Sequence, residues 1–160
     1  MFSPIGAILK MPNTYAKLYC HAIFSTKNRT PHINSKIEIK LFPYMSGIAE
    51  NSGCNLVIIN GTKDHVHLLL NIPPRLALSD AMRILKSNSS KWIHETFPDK
   101  KDFAWQTGYA AFSISHSDIQ TVSGYIKKQK EHHSKISFTD EVIALLKKHN
   151  VDYDDKYLWD

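Results

Sequence analysis

Cysteine is scarce in this chain, with Cys20 and Cys54 the two among 160 residues. Two are too few for a disulfide framework, and their spacing is too wide for a C-x-x-C metal or redox motif. Both read as buried or half-buried thiols in a reducing cytosol. Long apolar runs are missing too: no stretch approaches the ~20 residues that a membrane-spanning helix needs. Met1 to Lys10 lacks the n-region and cleavage site of a secretory signal. Internal repeats, low-complexity tracts and linkers long enough to separate domains are likewise absent. A disulfide scaffold and a membrane protein are therefore excluded, and a cytoplasmic location with no membrane partner is expected. Met11 is a second candidate start, which makes residues 1–14 an N-terminal extension ahead of a single domain over 15–160.

What the chain does contain is ordinary in amount. A hydrophobic share of 42% and a charged share of 22% suit a globular domain, and 160 residues bury a core without staples. The net charge of +5 leans towards a polyanionic partner.

Tyr15 to Ser25 is rich in aromatic and β-branched residues and reads as a strand, followed by the polar loop Thr26 to Pro31. Ser35-Lys36-Ile37-Glu38 fits a capping box for a helix running to Ser52, which Pro43 should kink or split. Cys54–Asn60 and His65–Ile72 flank a short turn and form an antiparallel hairpin. Ser79 should cap a helix to Phe97 whose outer face carries Arg83, Lys86 and Lys91. Tyr109 to Ser115 is the next strand. Ser117-Asp118-Ile119-Gln120 is a second capping box, opening a helix with Tyr125 and Gln129, and Thr139-Asp140-Glu141 opens a last helix through His149. The order β-α-β-β-α-β, with C-terminal helices added, gives an α+β, ferredoxin-like or RRM-like antiparallel sheet with helices on one face.

Chemistry concentrates in Asp64-His65-Val66-His67-Leu68-Leu69-Leu70. Strand side chains alternate, so His65 and His67 share a face, roughly 6–7 Å apart at Cα, and can converge on one divalent cation. A hydrogen-bonded surface pair gives the same pattern. Asp64 should point to the opposite face, outside any ligand set. Tyr125 and Gln129, four residues apart, fall on one helix face, where an amide oxygen and a phenol oxygen are offered together. An imidazole and oxygen shell suits Mg²⁺ or Mn²⁺, and Zn²⁺ would also bind. Such an ion polarises a phosphate, and a tyrosine can attack the phosphorus. With a free pKa near 10, the tyrosine needs help losing its proton, from the cation or from Lys128 or Lys130. His132 and His133 follow Gln129 by three and four residues, a spacing able to extend the site, though they read first as surface histidines near a helix end.

The combination resembles the single-tyrosine HUH transposases of small bacterial insertion sequences. It consists of His-hydrophobic-His on a strand and, about sixty residues later, Tyr-x-x-x-Gln on a helix. Phe24-Ser25-Thr26-Lys27, Lys86-Ser87, Trp105-Gln106 and Gly108-Tyr109 add to the likeness, which covers Tyr15 to Ser134. The resemblance implies a divalent metal, Mg²⁺ or Mn²⁺, on His65, His67 and Gln129, and Tyr125 forming a 5′-phosphotyrosine link to single-stranded DNA while a 3′-OH is released. It also implies hairpin DNA ends as partner and a homodimer in which the tyrosine helix completes the partner's site; Gly124 would suit a movable helix. Lys27, Arg29, Arg83, Lys86, Lys91 and Lys128 are the expected backbone-phosphate contacts. A domesticated relative that nicks repeated hairpins would share this chemistry. A non-catalytic RRM-like module would need aromatics at the centre of the sheet, where Leu56, Ile58, His65 and His67 are expected instead. The replication-initiator branch commonly adds a helicase domain that the chain lacks.

Overall fold

The computed structural model describes residues 14–159, so the expected N-terminal extension and the Met11 start lie outside the described residues, Thr14 apart. Four strands carry the fold: β1 (Tyr19–Ser25), β2 (Asn55–Gly61), β3 (His65–Asn71) and β4 (Ala110–Ile114), in the spatial order β2-β3-β1-β4. Every neighbouring pair is antiparallel. This is the expected ferredoxin-like sheet, reached with a shorter first strand, since the chain before Tyr19 is outside the ladder and Tyr15 is fully exposed.

Alternation sorts the side chains of the two central strands. Ala22 and Phe24 of β1 join Val66, Leu68 and Leu70 of β3 on one face, packed against Leu41 and Met45 of α1 (Ser35–Asn51) and Met82 and Leu85 of α2 (Leu78–Thr96). His21, Ile23, His65 and His67 take the other face, as the i, i+2 period requires. The C-terminal segment covers that face: α3 (Ile119–Lys127), the single turn α4 (Gln129–His132) and α5 (Phe138–Lys148). There Ile23 and Phe112 meet Phe138, Val142 and Leu146 in a second, smaller core. β2 is an edge strand, so Leu56 and Ile58 are not central as expected; His21 and Ile23 of β1 take that place beside the β3 histidines.

Several helix boundaries differ from expectation for local reasons. Asn34, one residue earlier than Ser35, caps α1, its Oδ1 accepting from Ile37 N at 2.9 Å. Pro43 sits inside α1 without dividing it. Its ring is exposed, so water can satisfy the carbonyl that loses its amide partner. α2 starts before Ser79 because Leu78 packs on the core, and no side chain caps it. The second capping box does not form: Ser117 Oγ pairs with Ser115 Oγ at 2.9 Å, and a 3₁₀ turn precedes α3. The helix expected to carry both Tyr125 and Gln129 breaks at Lys128, whose φ of −97° and ψ of 19° separate α3 from α4.

One glycine sets the hairpin that presents the histidines. A Cβ on Gly61 would lie 2.1 Å from the carbonyl oxygen of His65, so only glycine permits this close approach. Downstream, Trp159 of the tail packs on Phe138, ring centroids 5.9 Å apart, with the Arg29 guanidinium 5.2 Å from its ring centre.

Candidate metal and tyrosine site

The sheet face covered by α3, α4 and α5 gathers the polar groups. His65 and His67 are buried side by side on β3, their ring centroids 5.4 Å apart. His65 Nδ1 lies 2.7 Å from Asp64 Oδ1 and 2.9 Å from Thr62 Oγ1. A carboxylate can only accept, so Nδ1 carries a proton, and Nε2 faces inward. Asp64 thus differs from expectation: it precedes the strand, is not bound by the pleat, and bends back onto its neighbour. Burial raises its pKa, but the His65 bond and charge outweigh this and leave it below the ordinary value.

His67 is fully buried, with Nδ1 2.9 Å from His21 Nε2 and Nε2 3.1 Å from Glu141 Oε1. Burial, opposed by the Glu141 bond, brings its pKa down to about 4, so the ring is neutral, the form that binds a cation. Burial first, then His67, brings His21 to about 3.

Glu141 is where the groups converge. Its Oε1 lies 2.8 Å from His133 Nε2 and 3.9 Å from His65 Nε2. Its Oε2 accepts from the Tyr125 hydroxyl and, at 3.0 Å, from Gln129 Nε2. Only 3% of the side chain is exposed. Burial alone would raise its pKa, but the bonds from His133 and His67 hold it far below the carboxylate range. Tyr125 responds in the opposite sense: burial first and the Glu141 anion second push its hydroxyl well above the ordinary value.

The structure therefore brings together four of the expected residues, His65, His67, Tyr125 and Gln129. Gln129 Oε1 is 3.4 Å from His65 Nε2. Sequence reasoning missed Glu141, His21 and the inward placement of His133, which is largely buried and bonded to Glu141 and not a surface histidine. His132 too lies against a ring, 4.7 Å from Tyr125 between centroids. A signal for Glu141 existed: it falls on the same buried stripe of α5 as Phe138, Val142 and Leu146, and a carboxylate on an apolar stripe needs a partner. His21 depends on the pairing of β1 with β3, which spacing within β1 does not reveal.

The lysines stand apart. Among the described residues no lysine bonds to Tyr125; Lys130 instead reaches the Glu38 carboxylate, Asn60 Oδ1 at 3.0 Å and Gly61 O at 3.2 Å. Lys128 and Lys27 are exposed, and Arg29 lies half-buried against Trp159. Arg83 and Lys91 are exposed on α2, across the sheet from the histidines, beside Asp80 and Glu95. Lys86, an expected phosphate contact, is held within the fold. Its Nζ donates to Thr107 O at 3.0 Å and Gly108 O at 2.8 Å, and burial lowers its pKa to about 8. Gly124 has nothing within 4 Å of the Cβ it lacks, so close packing does not require it.

Comparison with known proteins shows what the chain is similar to. The model of the IS200-like transposase family matches residues 14–129. The ISDra2 transposase TnpA of Deinococcus radiodurans is 25% identical over 120 residues, 72% of this chain and 86% of the relative. The transposase of insertion sequence IS200 from Salmonella typhimurium is 27% identical over 117 residues, 69% of this chain and 76% of the relative. A crystal structure from Deinococcus radiodurans, assigned to the transposases, superposes with a TM-score of 0.63 at 27% identity, covering 75% of this chain and 96% of that one. A REP-associated tyrosine transposase bound to a REP hairpin shares the fold, with a TM-score of 0.59 at 14% identity over 79% of this chain and 75% of that one.

Proposed function

Because the chain belongs to the IS200-like transposases, we propose that it cuts and rejoins single-stranded DNA at a divalent-metal site, with Tyr125 as the nucleophile. The observation that carries this is the convergence of the Tyr125 hydroxyl, Gln129 and the buried imidazoles of His65 and His67 around one carboxylate. His65 and His67 would hold the ion, with Gln129, the third ligand that the resemblance implies, beside them. The donor chemistry fits: the two strand imidazoles lie side by side, and the Gln129 amide oxygen is 3.4 Å from His65 Nε2. A divalent cation, Mg²⁺ or Mn²⁺ on this reading, supplies charge that polarises a phosphate oxygen.

The chain's own residues do the rest. Tyr125 Oη forms a bond to the phosphorus while the bond from phosphorus to the 3′ oxygen breaks. This leaves a 5′-phosphotyrosine link and a 3′-OH. The hydrogen bond to Glu141 Oε2 aims the hydroxyl beforehand; the phenolic proton leaves to water as the bond forms, and the departing oxygen takes a proton from water. Rejoining reverses these bonds. Hairpin-bearing single strands are the substrate class, and a homodimer belongs to the same reading on the strength of the resemblance.

The test mixes the protein with end-labelled single strands from the ends of its own genetic element and Mn²⁺, and resolves the products on a denaturing gel. Label should migrate with the wild-type protein. Tyr125→Phe should form no adduct and still bind the strands to within about threefold, since only the attacking oxygen is lost. Adducts formed by Tyr125→Phe would assign the nucleophile elsewhere.

A further inference from the structure

Resting on the reading of Tyr125 as the nucleophile, we infer that Asn60 is a positioning residue for it, clasping the tyrosine helix at the carbonyls just past Tyr125. Asn60 Nδ2 donates to Ile126 O and to Lys127 O, each at 3.0 Å. Its Oδ1 accepts from Lys130 Nζ, also at 3.0 Å. Carbonyls can only accept and an ammonium can only donate, so a single amide orientation satisfies all three bonds. α3 ends at Lys127, and the last carbonyls of a helix lack their regular partners within it. The side chain of Asn60 therefore spans the break at Lys128, its nitrogen on α3 and its oxygen on the turn beyond.

What the clasp adds is position along and around the helix axis. Ile126, fully buried, seats α3 on the sheet, but apolar burial has no direction and leaves a helix free to slide or turn. Gly124, on the other side of the tyrosine, has no side chain to hold. Hydrogen bonds weaken steeply when bent, so two of them onto adjacent carbonyls fix both the height and the rotation of the turn that carries Tyr125. Asn60 is also the residue paired with His67 across the β2–β3 ladder. One rung thus carries an imidazole and the clasp, and the Tyr125 and His67 rings stand 6.0 Å apart between centroids. A reacting group displaced by about 1 Å can lose about a hundredfold in rate, so this anchor bears on chemistry before it bears on stability.

The experiment measures single-turnover adduct formation by the full chain on saturating labelled single strands with Mn²⁺, beside the Kd for the same strands by fluorescence anisotropy. Asn60→Ala removes all three bonds. Asn60→Asp keeps the size and the Lys130 contact but sets an anion against the carbonyl end of α3. Both should slow adduct formation by about tenfold or more and leave Kd within about threefold. Asn60→Gln, with the same amide on a longer stem, should recover part of the lost rate. Amide exchange along α3, followed without DNA, should quicken by about tenfold in the Ala and Asp variants. Wild-type rates of adduct formation in both variants overturn the inference. So does a rate that falls only in step with Kd, which would make the role structural, and so does unchanged exchange. Absence of adduct from wild type would instead sink the reading of Tyr125 as nucleophile; with exchange still quickened by Asn60→Ala, the clasp on its helix would stand.

Discussion

His67 has one ring nitrogen turned to the protein and one to the site, and His21 holds the first of them. With Nε2 given to a cation, Nδ1 must carry the proton and donate it, and His21 Nε2 at 2.9 Å is the acceptor within reach. His21→Ala should therefore weaken Mn²⁺ binding about tenfold, measured by calorimetric titration of the full chain, whereas His21→Gln, which retains an acceptor, should restore most of it. A loss equal in both variants would point to packing alone. The two strand histidines were legible in the sequence because period-two alternation is local. Glu141 was not, since its role arises only when α5 lays its apolar stripe on the sheet. His133 was hidden for the same reason: its partner is eight residues further on, across the turn that leads into α5. Asp64 was misread because alternation was extended one residue beyond the strand.

At the scale of elements, Lys86 joins α2 to the segment that leads into β4. Around it, Ser25 N donates to Gln106 Oε1 at 2.7 Å, Thr26 bridges Trp105, and Trp105 Nε1 donates to Ser89 Oγ at 2.9 Å. The short motifs behind the family likeness, Phe24 to Lys27, Lys86-Ser87 and Trp105-Gln106, thus meet in one polar seam. Lys86→Met keeps the stem but strips the donors from the Thr107 and Gly108 carbonyls. It should cost about 1–2 kcal/mol in urea unfolding, against less than about 0.5 for the exposed Arg83→Ala. An equal cost for both would deny Lys86 this role. Element order and hairpin pairing were legible from periodicity and turn residues. Caps were less so, because Leu78 and the Ser115–Ser117 pair shifted helix starts that serine spacing alone had placed elsewhere.

Over the whole molecule, the cations behind the net charge of +5 stand on both sides of the sheet. Arg83 and Lys91 lie across the sheet from the tyrosine site, and Lys128 sits at the helix break beside it. If the strand wraps from one face to the other, each of these cations releases counterions on binding. Arg83→Ala, Lys91→Ala and Lys128→Ala should each lower the slope of log K against log salt by about 0.7, measured with single-stranded DNA over a salt series. An unchanged slope would remove that residue from the DNA path. No helix of the described residues is long and apolar enough to cross a membrane.

The bond from His67 to Glu141 spans 74 residues of chain. Contacts that distant in sequence close large loops and form late, after local helices and the β2–β3 hairpin have had time to fold. During synthesis, which delivers the N-terminal portion first, a growing chain would already display its paired histidines and its tyrosine while lacking the carboxylate that gathers them. On the proposed reading, the tyrosine site is completed only once α5 has emerged and docked.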